Sequence, residues 1–253
     1  MTRRTTTTTL LTLALALGAH AVRADTLPPT CTVPDEMVAT DRALPRMAAA
    51  LSRPGPVTVL FEGTSSTAGG GASSPDKAFP ARFGQELARH FPNVEIVVRA
   101  HRGRTAEDMV ADIKTEVAAR TPALVVWQTG TTDAVRNVEL DSFGDALEHG
   151  ISYLHARDAD VVLVDPQYSP RMGALVDVGP YQDFMEQIAE RAEVILFHRF
   201  DIMQHWIDSG QLSFDNRARA AQLKAAEQVH DCIGRLLARL VAGAIDAARA
   251  KKP

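Results

Sequence analysis

Chemistry in this chain could begin at a serine. The run Val57-Thr58-Val59-Leu60-Phe61-Glu62-Gly63-Thr64-Ser65-Ser66-Thr67-Ala68-Gly69-Gly70-Gly71 opens on β-branched apolar residues and breaks into glycine and small hydroxyl residues. That pattern predicts a buried strand ending in a tight turn. Gly63 lets the backbone turn, and Thr64, Ser65 and Ser66 then present three hydroxyls. A serine attacks a carbonyl when a base takes its proton, and the base needs a carboxylate to orient it. Eight histidines are available. His20 lies in the leader-like start, and His90, His149 and His155 lie in or near helical patterns. His198 and His205 follow the last strand pattern. His230 stands three residues after Glu227, so on a helix the two occupy adjacent turns of one face. Serine, histidine and acid together are the parts list for acyl transfer. Taken singly, a small-residue loop that caps a strand and a solvated helix face account for the same residues.

Positioning such groups requires a scaffold, and the chain alternates strand and helix patterns five times. The predicted strands are Val57–Phe61, Val94–Val98, Ala123–Trp127, Val161–Val164 and Val194–Phe197. The predicted helices cover Asp35–Ser52, Lys77–His90, Ala106–Arg120, Asp141–Arg157 (capped by Asp141 or Ser142), Pro180–Arg191 and Asn216–Ala250, the last with a break near His230–Gly234. Arg53-Pro54-Gly55-Pro56 separates the first helix from the first strand. This alternation argues a single α/β domain: a three-layer α/β/α sandwich on a five-stranded parallel sheet in flavodoxin-like order. The polar loops all follow strands, so they converge on one sheet edge. They carry Ser65, the turn Ala100–Gly103, the loop Gln128–Asp133, and Tyr168 to Arg171. Tyr168 and Arg171 either line a substrate pocket or shape their loop.

The composition excludes several classes. With 45% hydrophobic and 23% charged residues the chain suits a globular protein with a real core. The net charge of -4 and the lack of a basic run argue against nucleic acid. Residues 1–24 read as a secretory signal, with Arg3 and Arg4 before an apolar core and Val22-Arg23-Ala24 or Ala19-His20-Ala21 at the cleavage site. Removing three arginines and no acid leaves the mature chain more acidic, with no integral membrane segment. The expected layout is a signal at 1–24, an N-terminal segment and helix at 25–54, and a body at 55–250. In an exported protein the two cysteines, Cys31 and Cys232, predict a disulfide that pins the N-terminal segment to the last helix. Two unpaired buried thiols are the alternative. Gly69-Gly70-Gly71 lacks the Lys-Ser/Thr of a phosphate loop. His198, Asp201 and His205 fit no metal signature, so no metal is expected.

The ordered blocks resemble the SGNH/GDSL hydrolase superfamily, in a bacterial exported branch. They are Gly63-Thr64-Ser65 after the first strand, Gly130-Thr131-Thr132-Asp133 after the third, and Glu227-x-x-His230 near the C-terminus, with Val126-Trp127-Gln128-Thr129-Gly130 and Asp165-Pro166-Gln167-Tyr168-Ser169-Pro170-Arg171 between them. The resemblance covers roughly residues 55 to 245. It implies a cofactor-free hydrolase of acyl or acetyl esters on a small molecule, lipid or glycan. Ser65 would be the nucleophile, His230 the base and Glu227, in place of the usual aspartate, the orienting acid. The oxyanion would be held by the Ser65 and Ala100 N–H groups. Ala100 stands where the family has glycine, and Thr132 where it has the asparagine that donates to the oxyanion. That last replacement also raises the reading of a catalytically impaired protein that binds an envelope glycan or lipid. A flavin- or nucleotide-binding flavodoxin-like protein would rest on the fold alone. Oligomeric state is not legible.

Overall fold

The computed structural model describes residues 27–251, so the leader expected at 1–24 lies outside the described residues. Five strands, β1 (Val57–Gly63), β2 (Val94–Ala100), β3 (Leu124–Gln128), β4 (Asp160–Val164) and β5 (Ile195–Phe197), form one sheet in the order β2-β1-β3-β4-β5. Every pairing is parallel, which bears out the predicted sandwich and its flavodoxin-like order. β3 and β4 are buried at every position, as continuous Val/Leu runs covered on both faces should be.

Two apolar layers flank the sheet. Side chains alternate along each strand, so Val59, Phe61, Leu124, Val126, Val162 and Val164 face one layer and Leu60, Val125, Trp127, Val161 and Leu163 the other. The first layer holds helices α1 (Pro45–Leu51), α2 (Phe79–Leu87), α8 (Arg199–Asp208) and α9 (Arg219–Ala250). The second holds α3 (Ala106–Arg120), α5 (Leu140–His155) and α7 (Gly179–Arg191). Two short helices, α4 (Thr131–Arg136) and α6 (Pro170–Gly173), sit in the loops after β3 and β4.

Four local expectations are corrected. The helix predicted over Asp35–Ser52 is reduced to a 3₁₀ turn at Asp35–Met37 and α1. Pro45 opens α1 and holds Leu44 out of the helical region at φ −113°, ψ 75°. α9 runs unbroken through His230–Gly234. A Cβ at Gly234 would lie 2.7 Å from the Phe79 carbonyl and 2.8 Å from the Phe83 nitrogen. This glycine therefore permits α9 to approach α2 closely instead of breaking the helix. No helix is predicted between the last strand and Asn216, yet Arg199–Asp208 form α8, whose buried Ile202, Met203 and Trp206 lie on one helical face. α5 begins at Leu140 after Glu139, with no side-chain cap from Asp141 or Ser142.

The N-terminal segment is fastened to this frame. Cys31 and Cys232 form the expected disulfide, with Cα atoms 5.0 Å apart across a sequence separation of 201. Closing so long a loop contributes about 3–5 kcal/mol through the unfolded state. The Trp206 indole N–H donates to the Thr32 carbonyl at 3.1 Å, and the Leu44 N–H donates to the Ala244 carbonyl. Among the described residues no helix is long and apolar enough to cross a membrane.

Candidate active site

The loop after β1 is held from below by one side chain. Gln128, the buried last residue of β3, accepts hydrogen bonds at its Oε1 from the Thr64, Ser66 and Thr67 hydroxyls at 3.1–3.2 Å. A Cβ at Gly63 would fall 2.2 Å from the Thr67 hydroxyl, so only glycine lets this loop fold over Gln128. Of the four hydroxyls at 64–67, that of Ser65 alone is outside the Gln128 cluster. Ser65 is half-buried, and its N–H is bonded to no group among the described residues. The loop then curls back, with Gly69 and Gly71 at positive φ and the Gly70 N–H donating to the Ser65 carbonyl at 2.7 Å.

Gly70 is also where the loop meets α9. His230 is buried beneath it, and its Nε2 lies 3.1 Å from the Gly70 carbonyl. The other ring nitrogen, Nδ1, accepts from the Phe79 N–H at 3.2 Å. An acceptor at Nδ1 places the proton of the neutral ring on Nε2, which donates to Gly70. The ring stacks on Phe79 at 6.2 Å. Burial is the main reason that His230 is held down to about 4. Arg199 adds to that effect, whereas the Gly70 carbonyl and Glu227 oppose it.

Glu227 has other partners. Its carboxylate accepts from the Ser73 N–H and hydroxyl and from Lys77 Nζ at 2.9–3.0 Å. Those bonds, Ser73 first and then Lys77, pull it down to about 2. Glu227 and His230 share a face of α9, as their spacing predicts, but no hydrogen bond joins them. Nor does one join Ser65 to His230.

The remaining predicted residues lie around this edge. Ala100 ends β2 in register with Gly63. His101 is the residue that donates to the Gly63 carbonyl. Because successive N–H groups of a strand alternate sides, the Ala100 N–H points to the open edge of the sheet. Thr132 is partly buried in the first turn of α4. Asp133 beside it accepts from the Ala106 N–H at 2.9 Å and so ties α4 to the start of α3. Tyr168 stacks edge-on against Phe200 at 4.9 Å. Arg171 falls within α6, and its side chain lies outside the described residues.

Sequence reasoning missed Gln128, Gly70 and Arg199. Arg199, at the start of α8, is 1% exposed. Its Nη1 donates to the Ser66 hydroxyl at 2.9 Å and its Nη2 to Gln167 Oε1 at 3.2 Å. The guanidinium also lies 5.4 Å from the Phe79 ring centre. Burial lowers it to about 10, against the opposing pull of Asp165, so it stays charged at neutral pH. Arg199, Gln167, Tyr168, Gly70, Phe214 and His230 line a cavity of about 190 Å³. An arginine just after a strand, at the edge where the loops converge, was the available signal. The neighbouring His198, Asp201 and His205 offered the more obvious chemistry.

Comparison with known proteins agrees with this architecture. The profile of the "Non-GDSL lipase-like family" matches residues 30–247. Among curated proteins none matches. Among solved structures, a lipase/acylhydrolase from Enterococcus faecalis is 20% identical, with a TM-score of 0.60 over 74% of this chain and 96% of that one. A catalytic mutant of an acetylxylan esterase from Geobacillus stearothermophilus is 19% identical, with a TM-score of 0.57 over 74% and 95%. The structure of TesA is 23% identical, with a TM-score of 0.53 over 71% and 99%. The fold expected of an SGNH/GDSL-type hydrolase is thereby borne out, and the matching profile is that of a lipase-like family.

Proposed function

This chain belongs to the non-GDSL lipase-like family, and from that premise we propose that it is an exported serine esterase or deacylase of carboxylic esters, acting on acyl or acetyl groups of a small molecule, lipid or glycan. The proposed layout keeps a leader at 1–24, a fastened segment at 25–54 and the hydrolase body at 55–250. The observation that carries the reading is the Gly70 bridge. A single residue bonds the Ser65 backbone at 2.7 Å and the His230 ring at 3.1 Å, at the sheet edge where parallel α/β folds bind ligands.

In the proposed reaction the Ser65 oxygen attacks the ester carbonyl and its proton passes to His230. The tetrahedral intermediate collapses, the C–O bond to the alcohol breaks, and His230 returns the proton to that alcohol. Water then attacks the acyl-serine with His230 again as base, releasing the acid and restoring Ser65. For this, Nε2 must exchange the Gly70 carbonyl for the Ser65 hydroxyl, and the ring proton must move to Nδ1, which then gives up the Phe79 N–H and would be oriented by Glu227 once that carboxylate turns from Ser73 and Lys77. The free Ser65 N–H supplies one oxyanion donor. The Thr132 hydroxyl and the Ala100 N–H, once turned from the sheet edge, would supply the others. The test is fluorophosphonate labelling of the mature protein with peptide mapping. Label on Ser65 that Ser65→Ala abolishes is expected. A folded protein that takes no label would overturn the assignment in favour of a ligand-binding role.

A further inference from the structure

Among the described residues Arg199 is a buried cation without a counter-ion. Its two bonded groups, Ser66 and Gln167, are neutral, and its Nε has no partner. Asp165 is the acid whose field it feels, yet both Asp165 oxygens are committed, one to the Phe200 N–H at 2.9 Å and the other to Gln182 at 3.3 Å. No ion pair to Arg199 is found among the described residues. A desolvated guanidinium is costly unless an anion and good hydrogen bonds offset it. Here neutral acceptors supply only the second part. The side chain also forms a wall of the cavity that opens beside His230 and Gly70. The longer Gln167 contact, to a neutral amide, is the one that a carboxylate would displace with gain, because charge-assisted bonds to arginine are about twice as strong.

We propose that the ester processed at this site carries a carboxylate that seats against Arg199. The inference rests on the hydrolase reading and narrows its substrate class to short, anionic esters. The size fits. About 190 Å³ is below the roughly 300–1,000 Å³ that holds drug-sized ligands, so the cavity suits a few carbon atoms and a carboxylate. Met203, Phe214 and Val229 cover the carbon part. The carboxylate has two possible sources. On the acyl side it would be the far end of a dicarboxylic monoester. On the alcohol side it would belong to an acetylated acid such as a uronic acid.

Matched substrates test this in the unmodified protein. One arm compares aryl monoesters of succinate, glutarate and adipate with their methyl-capped counterparts. The other compares acetylated glucuronic acid with acetylated glucose. At least about tenfold higher kcat/KM for the anionic member of one arm is expected from one charged hydrogen-bonded contact, and the arm that shows it identifies the source. Arg199→Gln should bring the ratio to near one, and Arg199→Lys should restore part of it. Neutral esters turned over as well as anionic ones, in protein that labels at Ser65, would overturn the inference and leave the hydrolase reading intact. Absence of both label and turnover would remove the hydrolase reading. Glutarate binding, by thermal shift against glutaramide, then decides alone: a shift for glutarate only, lost in Arg199→Gln, supports the anion site, and no shift overturns it.

Discussion

Two buried ionisable side chains, Glu62 and Arg199, stand at the same end of the sheet on opposite faces. Glu62 follows Leu60 into the α3 layer, is fully buried, and has no partner at either carboxylate oxygen among the described residues. Burial, aided by Asp112, pushes it up to about 9 against the opposing pull of Arg99 and Arg104. At neutral pH it is therefore an uncharged acid. Arg199, in the α9 layer, is as deeply buried but remains charged. The difference is chemical. A carboxyl escapes the cost of burial by keeping its proton, whereas a guanidinium has no such route at neutral pH and must be matched by neighbours. The neighbours of Arg199 match it incompletely and on the side facing a cavity. Those of Glu62 leave it enclosed, three residues before Ser65. On this argument Glu62 is a matter of stability and Arg199 one of chemistry.

The largest expected effect separates the two faces by activity. Ser65→Ala should lower kcat by on the order of 10⁶, as removal of a serine nucleophile does elsewhere. Glu62→Gln, on the other face of the sheet, should leave kcat/KM within about threefold, because it contributes no group to the reaction and is already neutral. Steady-state kinetics on a short aryl ester checks both. A Glu62→Gln variant as inactive as Ser65→Ala would break the comparison, since the buried acid would then belong to the chemistry.

Stability should separate them in the opposite sense. The folded-state pKa of Glu62 is raised from 4.5 to about 9, so between those values the folded protein holds a proton that the unfolded chain has released. Stability is thus fully present below about pH 4.5 and is lost as pH rises toward 9, at about 1.4 kcal/mol per unit. From pH 5 to pH 8 this amounts to about 4 kcal/mol at most. Glu62→Gln should remove that slope while leaving the slopes from other groups. Urea midpoints at pH 5 and pH 8 measure it, and identical pH dependence in the variant would show that Glu62 is ionised or solvated in the native state.

The fold was more legible than the site because it depends on repetition. Five apolar runs with helical patterns between them specify a parallel sheet even when ends move by a few residues, as β2 does in extending to Ala100. Errors came where one contact decides the outcome. Gly234 resembled a helix break until the backbone of Phe79 and Phe83 was found beside it. α8 hid because its buried Ile202, Met203 and Trp206 are spaced among charged residues. The cysteine pair was readable, since two cysteines in an exported chain leave few arrangements. At the site, the sequence offered Ser65, Glu227 and His230 by residue type and order. It did not offer their partners. That Glu227 binds Ser73 and Lys77, or that the Gly70 carbonyl accepts a hydrogen bond from His230, depends on loop geometry that no spacing rule reports.

The smallest effect is the most specific to the comparison. His230 is faced by the Phe79 N–H, the Gly70 carbonyl, Arg199 and Glu227. Burial holds it down to about 4, so the neutral, base-competent ring persists well below the usual histidine range. In the pH profile of kcat/KM, which reports the free enzyme, the acid limb due to His230 should fall near pH 4 to 5 instead of near 6.5. Arg199 raises the cost of charging the ring, so Arg199→Gln should shift that limb upward by a fraction of a pH unit. Removing a positive charge favours the imidazolium. Glu62→Gln should not move it, because Glu62 is neutral there and is not among the groups that His230 feels. An acid limb that stays put in Arg199→Gln but moves in Glu62→Gln would reverse the assignment, giving the buried acid the electrical contact with the base and leaving the arginine as packing.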